Sequence, residues 1–388
     1  MTIYNPSMER IGNINVGRIL WCCADFGITP EDLAREAHIS SATLHALFKE
    51  NKGLTFHQLK KVADFFGRGV LFFLEEGEVE PAQVHTTAFR TLANQKPELT
   101  SRLRRFIERV EHQREVYLSL IEEMREERPE FDPPDVRGMT ATQAAILVRR
   151  WLNLGDVNNF DTYRVALEAK GILVFRSNGY QGQWQIAKES PIIGFTLYDA
   201  KCPVIVVKKQ PWETQQSFTL MHELGHLILH KNSSIDEEHD LYSHKGMESE
   251  ANAFAGSLLV PLSYLHHINL AEKPNDVSQF DAWLERHRKR WGISPEVILR
   301  RLLDNDRLTQ AEYNSYRDWR AQQVYPEAEG GSRQYRHREP THIFGESFVR
   351  TVLDSLNNKH ITLTKASKYL DGINLTDIRL LKEHHARH

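Results

Sequence analysis

Two histidines four residues apart, with a glutamate beside the first, stand in the run Phe218-Thr219-Leu220-Met221-His222-Glu223-Leu224-Gly225-His226-Leu227-Ile228-Leu229-His230. On an α-helix these imidazoles share a face one turn apart, so both rings can reach one metal ion, and Glu223 is placed to hold water and take its proton. The chemistry this order of residue types supports is zinc-assisted hydrolysis of a peptide bond. A His-Glu-x-x-His run also arises by composition in a chain with 19 histidines, so its surroundings must carry the reading. Phe218, Leu220, Met221, Leu224, Leu227, Ile228 and Leu229 make the helix apolar on nearly every side, as in a core. Buried histidines beside a buried glutamate need a partner, and a metal supplies one. Gly225 sits in mid-helix despite a propensity cost of about 1 kcal/mol.

A third ligand is expected from a second helix, read over Met247-Glu248-Ser249-Glu250-Ala251-Asn252-Ala253-Phe254-Ala255-Gly256-Ser257-Leu258-Leu259-Val260-Pro261. Glu248 is the candidate. Asn252, four residues on, shares its face and can support a ligating histidine through its other ring nitrogen, while Glu250 is expected to face solvent. His230 lies about 12 Å along a straight helix from His222, too far to share the ion, and is expected to pack or hydrogen-bond at the helix end. His239 and His244 fall in a polar segment, 232–246, read as a loop; they become ligands only if that loop folds back over the site.

Elements must bring these groups together. Gly171 to Phe175, Ile192 to Leu197 and Pro203 to Val207 are short β-branched and aromatic runs, bounded by Gly, Asp and Pro, and read as a small sheet ahead of the metal-binding helix. An exposed edge of such a sheet can hold an extended peptide by strand addition. In order and spacing, the strand, the helix FTLMHELGHLILH and the later ESEANAFAGSLLVP resemble the ImmA/IrrE metallopeptidases over about residues 138–305. The resemblance implies a zincin-like domain in which His222, His226 and Glu248 bind Zn2+ and Glu223 is the general base. It also implies a helix-turn-helix repressor protein as substrate. At the strand end this chain has Lys208-Lys209, where the family often has asparagine.

The N-terminal part is organised differently. Residues 28–44 read as a short helix, a tight turn and a second helix, with Thr29 and Ser40 or Ser41 as caps, Pro30 in a first turn, and Leu33, Ala34, Ile39 and Leu44 where two such helices pack. This looks like a Cro/repressor-type helix-turn-helix. The second helix, 41–51, offers Ser41, Thr43, His45 and Lys49 for contact with DNA or with a protein. Residues 1–80 hold 8 basic against 11 acidic side chains, a weak footprint for phosphate binding, so operator binding and substrate recruitment both stay open.

Leu99, Leu103, Phe106, Val110, Gln113, Tyr117, Leu120 and Met124 recur at alternating steps of four and three. That heptad seam predicts one helix over 98–128 that pairs either with a second copy, making a homodimer, or with its own chain. Pro129, Pro133 and Pro134 end it. Past the metal-binding helices, Arg286 to Arg301 is basic with apolar residues interleaved, which more often marks a solvated face than a nucleic-acid site.

The expected fold is α+β and mostly helical. Its parts are a helix-turn-helix domain (1–80), a helical linker with the seam (81–137), the zincin-like domain (138–305), a helix and flexible linker (306–341) and a C-terminal helical module (342–388). A net charge of −3 excludes a globally basic nucleic-acid coat, no segment reads as a membrane span, and Cys22, Cys23 and Cys202 are too few for a disulfide framework, which points to the cytoplasm. Two functions follow from these readings. One is a zinc endopeptidase that cleaves a regulatory protein. The other is a DNA-binding regulator or antitoxin-like protein whose zincin domain is a non-catalytic scaffold; against it, a scaffold has no need of Glu223.

Overall fold

Short polar side chains cap many of the helix starts, though not those at Glu213 and Gly246, in a computed structural model that describes residues 10–80, 92, 95, 100–177, 183–243, 245–323 and 333–385. Leu99, His244, residues 324–332 of the expected linker and the histidine-rich end at 386–388 lie outside the described residues. The chain divides into two units, Met1–Arg109 and Val110–His388.

In the first unit, α1 (Val16–Asp25), α2 (Pro30–Glu36), α3 (Ser41–Glu50) and α4 (Phe56–Phe66) pack with a two-residue antiparallel pair, β1 (Arg10–Ile11) and β2 (Leu54–Thr55). Thr29 caps α2 in a reciprocal box with Asp32, and Ser40 caps α3. Between them His38 takes a φ of 51°, turning the chain so that Leu33, Ala34, Ile39 and Leu44 share a core with Ile19, Leu59 and Phe66. This is the helix-turn-helix arrangement.

The long helix α5 (Ser101–Met124) carries the seam. Leu103, Phe106, Val110, Gln113, Tyr117 and Leu120 are all buried by this chain itself. Within the first unit Glu108 pairs with Arg68 and the Arg105 guanidinium covers the Phe65 ring. Within the second, the Gln113 amide donates to the Tyr369 carbonyl and Tyr117 stacks on Phe348. Of the two coverings that the spacing allows, a second copy or its own chain, the described seam positions have the second: heptad spacing reports an apolar stripe and is silent about what covers it. Leu103→Glu is accordingly expected to cost about 2–5 kcal/mol of stability in urea titration, by the cost of losing a buried leucine, with no change of mass in light scattering. A dimer that dissociates on this substitution would return the seam to an interface between copies.

The second unit is built around a four-stranded sheet of order β3-β5-β4-β6: β3 (Leu173–Arg176), β4 (Ile192–Leu197), β5 (Val204–Val207) and β6 (Ser234–Glu237). β3 and β5 are parallel, and β4 is antiparallel to both β5 and β6. Strand β6 falls inside the segment read from sequence as a loop. Ser-Ile-Asp-Glu is too short and polar to announce a strand, and it is held by backbone pairing to β4, with Phe195 opposite Ile235.

Helices cover the sheet. α6 (Ala141–Trp151), α7 (Phe160–Glu168), α8 (Glu213–Gly225) and α9 (Gly246–Leu259) share one core with α11 (Pro295–Leu303) and α12 (Gln310–Ala321). The basic stretch divides between α10 (Glu285–Trp291) and α11. Lys289 pairs with Glu285 and Arg300 with Asp304, Arg301 reaches the Val260 carbonyl, and Trp291, Ile293 and Ile298 are buried. These charges form a paired face over an apolar one. At the C-terminal end α13 (Glu339–Asn357, kinked at Gly345) packs against β3, where Phe344 and Phe348 meet Phe175 edge-on, while α14 (Leu363–Tyr369) packs on α13 and α15 (Leu375–His385) on α14. No helix among the described residues is long and apolar enough to cross a membrane.

Candidate metal centre

α8 runs across the sheet beside β4 and β5, and α9 crosses it at Gly225. A Cβ added to Gly225 would stand 3.2 Å from the Ala251 Cα and 3.3 Å from a Phe254 ring carbon. The mid-helix glycine therefore lets two backbones approach, which sets Glu248 and Asn252 of α9 against the imidazoles of α8. From His226 to His230 the helix widens into a π-turn, a local rearrangement often found at functional sites.

His222, His226, Asp236 and Glu248 each offer one ligand atom, and these atoms lie within 4.8 Å of one another. His222 Nε2 and His226 Nε2 are 3.1 Å apart, and Glu248 Oε2 is 3.2 Å from the first and 3.4 Å from the second. Asp236 Oδ2 is 3.5 Å from both. Donor atoms about 2.0–2.2 Å from a tetrahedral zinc are about 3.3–3.6 Å from each other, so the residues present fit such an ion. Burial favours a raised carboxyl pKa at Glu248, but hydrogen bonds with His222 and His226 and their charge hold it well below the usual carboxylate range. For His226, burial works to lower the pKa and is outweighed by the Glu248 hydrogen bond and the Asp236 charge.

Each imidazole is held by its other nitrogen. His222 Nδ1 lies 2.9 Å from Asn252 Oδ1, and the Asn252 amide donates to the Asp240 carbonyl at 3.0 Å, so its oxygen must be the atom turned toward His222. That leaves Nδ1 as donor and the Nε2 lone pair free for a metal. His226 Nδ1 is 3.0 Å from His230 Nδ1, whose Nε2 is 3.0 Å from Glu250 Oε2. His230 thus hydrogen-bonds at the helix end. Glu250 is exposed, but it holds His230 rather than standing free in solvent.

Glu223 is fully buried between the sheet and α8. Thr196 Oγ1 donates to its Oε2 at 2.7 Å, and Ser234 Oγ stands 3.4 Å away. Gly194 makes the space: a Cβ there would meet Glu223 Oε1 at 2.5 Å. Among the described residues no other donor reaches Glu223 Oε1 or Asp236 Oδ2, and the two carboxyls lie close enough to share a proton. Burial, then the neighbouring Asp236 charge, drives the Glu223 pKa well above the ordinary glutamate value.

The structure brings His222, Glu223, His226, Glu248 and Asn252 together. His239 stands apart and exposed, paired with Glu237 and Asp240. Asp236 was missed by sequence reasoning: it is one acid in the run Asp236-Glu237-Glu238, and only its strand position turns it inward. In the first unit Ser41, His45 and Lys49 are exposed along α3, whereas the Thr43 hydroxyl is engaged at 2.7 Å with the Ser40 cap. Beside the centre a cavity of about 890 Å³ opens between α8, α9, α11 and α12, with Phe218 and Asn252 in its wall near the imidazoles and Arg300 and Arg317 farther off.

Comparison with known proteins bears on both units. Residues 168–303 match the peptidase M78 family, described as the IrrE N-terminal-like domain, and residues 19–68 match the Cro/C1-type HTH DNA-binding domain. A curated protein of Bacillus phage phi105, "Uncharacterized immunity region protein 2", is 38% identical over 80 residues, which is 20% of this chain and 49% of the phage protein. The chain spans about half the length of that curated relative.

Proposed function

We propose that the second unit is a zinc-dependent endopeptidase that cleaves a regulatory protein, a helix-turn-helix transcriptional repressor. The observation that carries this reading is the meeting of His222 Nε2, His226 Nε2 and Glu248 Oε2 at 3.1–3.4 Å, next to the buried carboxyl of Glu223. The M78 match supports the peptidase class, and a relative from a phage immunity region fits a regulatory substrate.

Held there, zinc would supply a Lewis acid that polarises the scissile carbonyl and makes water nucleophilic near neutral pH. Glu223 takes the proton of the attacking water on Oε1 and passes it toward the leaving amine, while Thr196 keeps Oε2 in place. Asn252 and His230 orient the two imidazoles. For the first unit, the exposed Ser41, His45 and Lys49 of α3 are the contact face for DNA or a protein partner. Three cysteines buried as free thiols accord with a reducing cytoplasm; burial pushes Cys22 up to about 12 and Cys202 to about 11.

Metal analysis tests the centre. The purified chain is expected to hold about one zinc, and His222→Ala, His226→Ala or Glu248→Ala should each weaken retention against a chelator, since an open catalytic site has about three protein ligands. Full retention in Glu248→Ala with loss in Glu250→Ala would move the third ligand. The second reading, a DNA-binding regulator with a non-catalytic scaffold, draws on the helix-turn-helix match and is separated from the first by the Glu223 experiment below.

A further inference from the structure

Asp236 occupies a position that the proposed reaction does not use. It lies on β6, the edge strand of the sheet, and is 1% exposed. Apart from the adjoining Glu223 carboxyl, which can donate only when protonated, no donor among the described residues is placed on its Oδ2, although a buried carboxylate oxygen ordinarily finds one. The same atom stands 3.5 Å from both imidazole nitrogens, the separation expected between neighbouring vertices of a zinc tetrahedron. The pairing of β4 with β6 shifts register between Ile192 and Gly194, at the point where Gly194 lies opposite Asp236, and such irregularities re-aim a side chain.

Resting on the metallopeptidase reading above, we propose that Asp236 is a fourth protein ligand, so that the centre rests in a closed state and water gains its position only when Asp236 withdraws. Sites with four protein ligands are characteristically structural, whereas catalytic zinc keeps one position open. Charge accounting agrees. The carboxylates of Asp236 and Glu248 together neutralise a divalent ion in a buried setting, where an unbalanced charge is costly. Withdrawal has a structural route. Among the described residues β6 has a strand on one side only, and beyond it the Asp240 carbonyl is tied to the Asn252 amide that also holds His222. A partner or substrate that displaces this edge would open the centre, which makes the enzyme latent until engaged.

The test loads the full chain with Co2+, a spectroscopic substitute for zinc, as wild type, Asp236→Ala and the near-isosteric Asp236→Asn. Visible absorption and chelator competition are then read with and without acetohydroxamate. The wild type is expected to give an intense four-coordinate spectrum that acetohydroxamate barely alters. Both variants should bind the metal about tenfold or more weakly, since even the groups that hold ligands are worth about 10–100-fold. Their spectra should shift on adding hydroxamate, which enters the vacated position. Equal affinity and equal hydroxamate response in all three proteins would overturn the role of Asp236 and leave the three-ligand reading intact. A wild type that takes up no metal would overturn both. Circular dichroism of the metal-free proteins checks folding, and Asp236→Asn, which keeps the side chain's size, carries the test if the alanine variant unfolds.

Discussion

Glu223→Gln is expected to lower repressor cleavage by about 10²- to 10⁴-fold while the chain keeps its zinc and its fold, because the variant removes a proton acceptor and nothing else. Glutamine has the size of glutamate, and its carbonyl can still accept from Thr196 Oγ1, which now reaches Glu223 Oε2 at 2.7 Å. The ligand atoms of His222, His226 and Glu248 are untouched. Removing a carboxylate whose pKa burial drives upward also relieves a cost to the metal-free fold, so the thermal midpoint should hold or rise. Co-expression of each form with a helix-turn-helix repressor, read by mass spectrometry of that repressor, decides the matter. The intact chain should shorten it and the Gln form should leave it whole. Identical cellular effects of both forms, with no shortened protein in either, would sink the peptidase reading and leave the scaffold.

The second large effect concerns stability and lies away from the centre. Arg164 and Glu168, one turn apart on α7, are both buried and pair at 3.3 Å. The Arg164 guanidinium donates to the carbonyls of Thr341, His342 and Ile343, which end the first half of α13, and also to Val174. Glu168 Oε2 accepts from the Ser347 amide, at the start of the second half. A cation thus meets a helix C-terminus and an anion a helix N-terminus on either side of the kink at Gly345. Burial pulls the Arg164 pKa down and pushes that of Glu168 up, each opposed by the charge of the other. Glu168→Ala should cost about 3–5 kcal/mol, because it strands a buried guanidinium. Urea unfolding measures this, and the second substitution in Arg164→Met/Glu168→Ala should recover part of the loss. An unchanged midpoint in Glu168→Ala would show that solvent reaches Arg164 and that α13 docks without the pair.

Local order carries much of the candidate site and is legible without a structure. Two histidines four apart share a helix face by the 3.6-residue period alone, and the same period sets Asn252 on the face of Glu248. Thr29 and Ser40 can be read as caps because each bonds the amide only three residues on, within one four-residue stretch. What joins distant segments is not legible in this way. Asp236 is one acid among several until β6 pairs with β4 and turns it inward. His230 and Glu250 look unrelated until the π-turn and the crossing of α8 with α9 bring them to 3.0 Å. The seam of α5 is plain in the spacing of Leu103 to Leu120, yet its cover includes the carbonyl of Tyr369, 256 residues from Gln113, and the ring of Phe348, far along a chain of 388. Periodicity is a property of one segment, whereas the partner that buries its face is chosen by packing of the whole chain, and that choice belongs to the tertiary structure alone.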